Sequence, residues 1–135
     1  MSLLLLDVNA LLALGWEEHL HHAAVIDRLH DQQRWATCAI VQLGFIRLAG
    51  LPGIFHQPLA PQRAANELLD LVSDPLHQYI EASPAPVALD WRHRLGPKQS
   101  TDRYLLAVAE AADAHLLTFD RGLFELGGER VELLR

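Results

Sequence analysis

Three aspartates occupy positions that an α/β fold would bring to one edge of its sheet. Asp7 directly follows the apolar run Leu3–Leu6, and Asp120 directly follows the apolar segment His115–Phe119. Asp102 lies in the first turn of a predicted helix, where the helix dipole favours a carboxylate. Because ligands bind beyond the carboxyl ends of the strands in such sheets, the spacing predicts that these three side chains meet at one rim.

Carboxylates that meet without partners repel one another and raise each other's pKa values. A hard divalent cation such as Mg²⁺ or Mn²⁺ relieves that repulsion, and Mg²⁺ keeps waters that substrate phosphates can displace. Such a site suits hydrolysis of a phosphodiester. An alternative stays open, because strand-end aspartates are common turn formers. Asp7 and Asp120 would then be turn residues, and Asp102 a residue that begins a helix.

The order of apolar segments predicts an α/β fold with a parallel central sheet and helices on both faces. Leu3–Leu6 has no polar alternation, which is typical of a strand buried on both sides. Further strands are predicted at Trp35–Cys38, His115–Phe119 and Val131–Leu134. The predicted helices are Ala10–Leu14 after an N-cap at Asn9, about Glu18–His30, Ala39–Leu48, one beginning at Pro61 with Ala65, Leu68, Leu69 and Val72 inward, and one capped by Thr101.

The composition limits the class of protein. A chain of 135 residues that is 50% apolar can form one domain with a buried core. The net charge of −6 excludes a uniformly basic nucleic-acid coat protein but not a local basic groove. The single cysteine, Cys38, excludes a disulfide framework, and a cytoplasmic location is expected. Leu3–Leu6 is far shorter than the roughly 20 residues of a membrane span, so no membrane association is expected.

Several blocks of the chain resemble PIN-domain ribonucleases, in particular the toxins of VapBC toxin–antitoxin systems. The blocks occur in the expected order and cover most of the sequence. They are Leu6–Leu14, Trp35–Cys38, Gly44–Leu48, Thr101–Ala109, Leu116–Leu123 and Val131–Leu134.

The resemblance implies a single PIN domain over residues 1–135 with a Rossmann-like sheet. It also implies an Mg²⁺- or Mn²⁺-dependent endoribonuclease that cleaves single-stranded or loop RNA, forms homodimers and is inhibited by a cognate antitoxin. Asp7, Asp102 and Asp120 match the acidic metal-site positions of the family. The remaining acidic position, in the third helix, is Gln42 here. An amide oxygen still ligates a metal or holds a water, but the expected metal affinity is lower.

Other polar residues near these positions have less specific signals. Asn9 either caps a helix or supports the site by bonding to Asp7 or to a bound water. Arginine outnumbers lysine ten to one, which suits bidentate phosphate contacts. The candidates for contacts with the RNA backbone are Arg47, Lys98, Arg103 and Arg121. His19 and His22 share a predicted helix face, but no ligand set is spaced to complete a zinc site, and a hydrogen-bonded, packed His22 is favoured.

Two rivals to the nuclease hypothesis belong to other classes. A catalytically silent module would keep the PIN fold and the antitoxin surface but lose its metal affinity because Gln42 replaces an acid. A receiver-like domain would need a phospho-acceptor aspartate after its third strand, and the sequence before Ser83 offers no clear one.

Overall fold

The computed structural model describes residues 2–92 and 95–135 and contains a five-stranded parallel sheet. The strands lie in the order β3-β2-β1-β4-β5, so the first strand of the chain is central. Leu4 pairs with Trp35 on one side of β1, and Leu6 pairs with Leu117 on the other. The strands are β1 Leu3–Leu6, β2 Trp35–Cys38, β3 His77–Ile80, β4 Ala114–Thr118 and β5 Val131–Leu133.

Helices connect these strands and cover both faces of the sheet. Short 3₁₀ turns occupy residues 86–88, 97–99 and 128–130. No helix in the described part of the chain is long and apolar enough to cross a membrane. The α-helices are α1 Val8–Gly15, α2 His22–Arg28, α3 Ala39–Ala49, α4 Pro61–Val72, α5 Ser100–Ala111 and α6 Arg121–Gly127.

The sheet separates two apolar cores. On one face, Leu4, Leu6 and Trp35 pack with residues of α1, α3 and α4, among them Phe45. On the other face, Leu5, Ala36 and Cys38 pack with α5 and α6, and Leu105, Val108 and Leu123 are buried there. This arrangement confirms the predicted parallel sheet with helices on both faces.

Several predicted helix boundaries are wrong. Asp7, not Asn9, caps α1, because the Asp7 carboxylate accepts the Val8 amide. The second helix covers only His22–Arg28, since the segment before it forms turns. Thr101 is not a cap, because α5 already begins at Ser100.

Two elements were not predicted, and one residue was placed on the wrong face. Strand β3 pairs only with β2, and its edge position leaves Gln78 and Tyr79 exposed, so it lacks the apolar run of the central strands. Helix α6 is only 7 residues long and was missed after Asp120. On α4, Pro61 and Leu68 lie as predicted, whereas Leu69 is 63% exposed.

Candidate functional site

Asp7 is a buried carboxylate at the end of the central strand. It is 9% exposed, and both of its oxygens accept a hydrogen bond. Oδ1 accepts from the Val8 amide at 2.7 Å, and Oδ2 accepts from the Thr118 hydroxyl at 2.8 Å. Burial raises the pKa of Asp7 above its ordinary value, Asp120 adds to the rise, and the two hydrogen bonds oppose it. The fold therefore fixes the orientation of this carboxylate without fully compensating its charge.

Thr118 is the centre of the hydrogen bonds at this edge of the sheet. Its side chain is fully buried at the last position of β4, beside Asp7. While donating to Asp7, Thr118 Oγ1 accepts from the Asp120 amide at 3.0 Å and from Asn9 Nδ2 at 3.3 Å. Asn9 Oδ1 also accepts from the Phe119 amide at 3.3 Å. Asn9 thus reaches Asp7 through Thr118, not directly.

Sequence reasoning did not single out Thr118. The available signal was a hydroxyl at the end of a mostly apolar buried strand, where a polar group needs a partner. That partner is Asp7, which follows the neighbouring strand.

Asp102 and Asp120 complete an acidic rim with Asp7. Asp102 is half-buried in the first turn of α5 and has no hydrogen-bond partner in the described part of the chain. Burial raises its pKa to about 6, and the charges of Asp7 and Asp120 contribute to that rise. Asp120 is exposed and caps α6, its Oδ1 accepting from the amides of Gly122 at 2.8 Å and Leu123 at 3.2 Å. The structure brings the three aspartates close enough to repel one another.

The donor set of this rim fits a hard divalent cation. All three aspartates supply oxygen, Asp102 has an unoccupied carboxylate, and the second oxygen of Asp120 takes no part in the helix cap. Within residues 2–92 and 95–135, however, no three His, Cys, Asp or Glu side chains form a ready-made metal cage. Mg²⁺ does not need one, because it usually binds through one or two carboxylates and keeps waters or substrate phosphates as its other ligands.

Gln42 points inward from α3, as its helix face predicts, but it is not bonded to the aspartates. Its Nε2 donates to the Thr37 hydroxyl at 3.0 Å, and that hydroxyl contacts His77 Nε2 at 2.8 Å. The predicted partner of Gln42 was the cation or its water, whereas the partner in the structure is a buried threonine of β2.

Two of the four predicted RNA-contacting cations are chain neighbours of the rim aspartates. Arg103 and Arg121 directly follow Asp102 and Asp120 in the chain. Arg47, Lys98 and Arg121 are exposed, and Arg103 is half-buried. None of the four forms an ion pair with a residue that the structure describes.

The histidine cluster has structural partners. His22 Nδ1 lies 2.7 Å from the Ala13 carbonyl, which confirms a hydrogen-bonded, half-buried histidine. The His19 ring contacts Trp16, and His21 stacks on Phe119 at 4.3 Å. The described residues include no zinc ligand set at this cluster.

A family model for the PIN domain matches residues 4–129, a range that includes the three aspartates, Thr118 and Gln42. The chain belongs to the PIN domain family. It is 35% identical over 136 residues to Ribonuclease VapC38 of Mycobacterium tuberculosis, with 96% of each chain covered. It is also 34% identical over 124 residues to Ribonuclease VapC44 of the same species, covering 88% of this chain and 87% of the relative.

The fold of this PIN domain also resembles a solved structure, VapBC2 from Rickettsia felis bound to a DNA fragment from its promoter. The TM-score is 0.61 at 12% sequence identity, and the match covers 98% of this chain and 99% of the other. At that identity the likeness concerns the fold alone. The two curated relatives are the basis for placing this PIN domain among the VapC ribonucleases.

Proposed function

We propose that this PIN domain is a metal-dependent endoribonuclease, the toxin of a VapBC-type pair. The observation that carries the proposal is the acidic rim, where burial, together with repulsion from Asp7 and Asp120, raises the pKa of Asp102 to about 6. A structural role does not explain that repulsion, because Asp102 makes no hydrogen bond in the described chain. The VapC ribonucleases to which the chain is similar support RNA as the substrate.

In this proposal Asp7, Asp102 and Asp120 hold Mg²⁺ or Mn²⁺. The cation supplies activation of water and neutralises charge on the phosphate. The chain's own residues determine where it binds. Thr118 holds Asp7 in one orientation, and Asn9 holds the backbone after β4 through the Phe119 amide. Asp102 offers the carboxylate with no competing partner.

The residues around the rim support the proposed RNA substrate and antitoxin partner. Arg103 and Arg121 flank the aspartates in the chain, so we propose that they contact the RNA backbone, with Arg47 and Lys98 further out. We propose that a cognate antitoxin inhibits the enzyme at the same rim, where the aspartate carboxylates would attract an arginine side chain of the antitoxin. A homodimer is proposed from the family resemblance.

The test is cleavage of a single-stranded RNA with and without Mn²⁺. We expect cleavage that EDTA abolishes and Mn²⁺ restores, and we expect Asp102→Asn to lose at least 100-fold in rate, in line with about 3 kcal/mol of transition-state stabilisation. Asp70→Asn, an exposed aspartate of α4, is the matched control and should cleave normally. Cleavage by Asp102→Asn at the wild-type rate would refute the assignment of the site.

The rival is a PIN-fold module that binds partners without catalysis. One observation favours it: Gln42, which replaces an acid, is bonded to Thr37 and adds no charge to the rim. Calorimetric titration with Mn²⁺ separates the two. A silent module would bind no Mn²⁺ at millimolar concentration, whereas the proposed enzyme binds it and loses that binding in Asp102→Asn.

A further inference from the structure

A buried chain of hydrogen bonds runs from α3 to the edge strand β3. Gln42 Nε2 lies 3.0 Å from Thr37 Oγ1, which in turn lies 2.8 Å from His77 Nε2. Thr37 is fully buried on β2, and Gln42 and His77 are half-buried on either side of it. The Thr37 hydroxyl is thus the only link in the described structure between the amide on α3 and the imidazole on β3.

The chemistry of the three groups fixes the direction of this chain. An amide nitrogen only donates, so Thr37 Oγ1 accepts from Gln42. The hydroxyl has one hydrogen, and His77 Nε2 is the partner left for it. The hydroxyl oxygen could also accept from both neighbours, but its buried hydrogen would then lack an acceptor, so the arrangement favours an unprotonated His77 Nε2 with the proton on Nδ1. In this arrangement Gln42 Oε1 has no protein partner in the described chain and is available as an acceptor.

Protonation of His77 would reverse the donor and acceptor roles along these hydrogen bonds. Nε2 would then carry hydrogen and donate to Thr37, whose hydroxyl hydrogen would have no acceptor inside the protein. A buried donor without a partner is costly, and Gln42 can relieve that cost by turning its amide so that Oε1 accepts from Thr37. The free atom of Gln42 would then be the NH₂ group, a donor that a cation does not tolerate as a ligand.

The surroundings of His77 favour the neutral ring. Burial lowers its pKa, and the neighbouring Asp74 carboxylate opposes that effect. Asp74 is the charged group acting on the ring in the described structure, and its Oδ2 already accepts from the Trp35 indole at 2.9 Å. From β2 the ring meets Thr37 and the edge-on Trp35 at 4.7 Å, both uncharged.

We propose that Thr37 and His77 are positioning residues that keep the carbonyl oxygen of Gln42 free, and that a proton on His77 turns this amide over. Gln42 occupies the position that matches an acidic residue in the family, so a free carbonyl oxygen is the closest available substitute for a carboxylate. The use of this oxygen in metal binding rests on the proposed function. The coupling of Gln42 to His77 is independent of the proposed function.

Long-range ¹H–¹⁵N NMR of the His77 ring at pH 8 tests the direction of the chain. In the wild type we expect the tautomer with the proton on Nδ1. In Gln42→Glu the carboxylate cannot donate, so Thr37 must donate to it and His77 must donate to Thr37. The expected result is a change to the Nε2-protonated tautomer and a titration of His77 displaced to higher pH. The exposed His56 is the control ring and should show the same spectrum in both proteins.

An Nε2-protonated ring in the wild type, or an unchanged His77 spectrum in Gln42→Glu, overturns the proposal. Thr37→Val should break the link, so that adding Gln42→Glu to it changes nothing further at His77, whereas Thr37→Ser should preserve the coupling. Wild type and Gln42→Glu alone decide the matter if Thr37→Val does not fold. The NMR samples contain neither RNA nor metal. A failure to cleave RNA in the separate assay therefore counts against the proposed nuclease and not against the coupling of Gln42 to His77.

Discussion

Replacing Asp102 by asparagine should stabilise the metal-free protein at neutral pH. The substitution removes a charge that burial disfavours and that Asp7 and Asp120 repel, and it breaks no hydrogen bond in the described structure. The pKa of Asp102 rises from 3.8 to about 6 on folding. At about 1.4 kcal/mol per unit, the whole shift corresponds to about 3 kcal/mol. Because Asp102 is only half-buried, solvent screening reduces the expected gain to about 1 kcal/mol.

The sign of the effect gives it a pH signature. Between pH 3.8 and about 6 the folded protein binds more protons at Asp102 than the unfolded chain does, so wild-type stability falls as the pH rises through this window. Above the window the wild type bears the full stability cost of the ionised Asp102, and below it this cost is absent. Urea unfolding should therefore show the variant about 1 kcal/mol more stable at pH 7.5, with a melting temperature higher by roughly 3–5 °C, and nearly equal to the wild type at pH 4.

Adding metal should make the wild type more stable than Asp102→Asn, the reverse of their order without metal. At a hundredfold excess over Kd, a ligand bound only to the folded state adds about 2.7 kcal/mol, and only the wild type keeps the full set of carboxylates. Asp70→Asn is the control and should change stability by less than about 0.5 kcal/mol at either pH. A metal-free Asp102→Asn that is less stable than the wild type at pH 7.5, or a gap that persists at pH 4, would show that Asp102 is not repelled as described.

Two further variants test the support of the site and the packing behind it. Thr118→Val should lower the free energy of unfolding by about 1–3 kcal/mol in urea, because buried Asp7 loses its hydroxyl donor, and it should slow RNA cleavage; the exposed Thr101→Val should do neither. Gly127→Ala should cost about 1–3 kcal/mol in the same assay, because its Cβ would lie 2.4 Å from Val131 Cγ2, whereas Gly96→Ala, with 3.9 Å to its nearest neighbour, should be tolerated.

The central part of the fold was predictable because burial leaves a strong pattern in the sequence. Leu3–Leu6 and Trp35–Cys38 have the bounds that were predicted, since strands covered on both faces consist almost wholly of apolar residues. The edge strand His77–Ile80 was missed because only Ile80 is buried in it. Its polar residues are those of a strand with one open side, and such a segment cannot be distinguished from a loop by periodicity.

The candidate site was predictable in its charges and not in its hydrogen bonds. The aspartates stand at element ends that topology brings together, so their order along the chain was informative. The partner of Gln42 was not predictable. Thr37 is five residues away on another element, and the sequence does not give the position of α3 relative to β2 that brings the two side chains together. The same holds for Thr118, whose contact with Asp7 spans 111 residues of chain.

The two interpretations of the aspartates, as turn formers and as metal ligands, are not exclusive. Asp7 and Asp120 both cap helices, so each gains backbone hydrogen bonds that offset the cost of its charge. Asp102 gains none in the described structure, and its pKa is nevertheless raised by burial beside two other carboxylates. The dipole of α5 favours a carboxylate in its first turn, yet the pKa of Asp102 lies above its ordinary value, so the fold does not fully offset the cost of this charge. A bound cation would therefore relieve the largest uncompensated cost at Asp102, the one aspartate of the three that makes no hydrogen bond in the described structure.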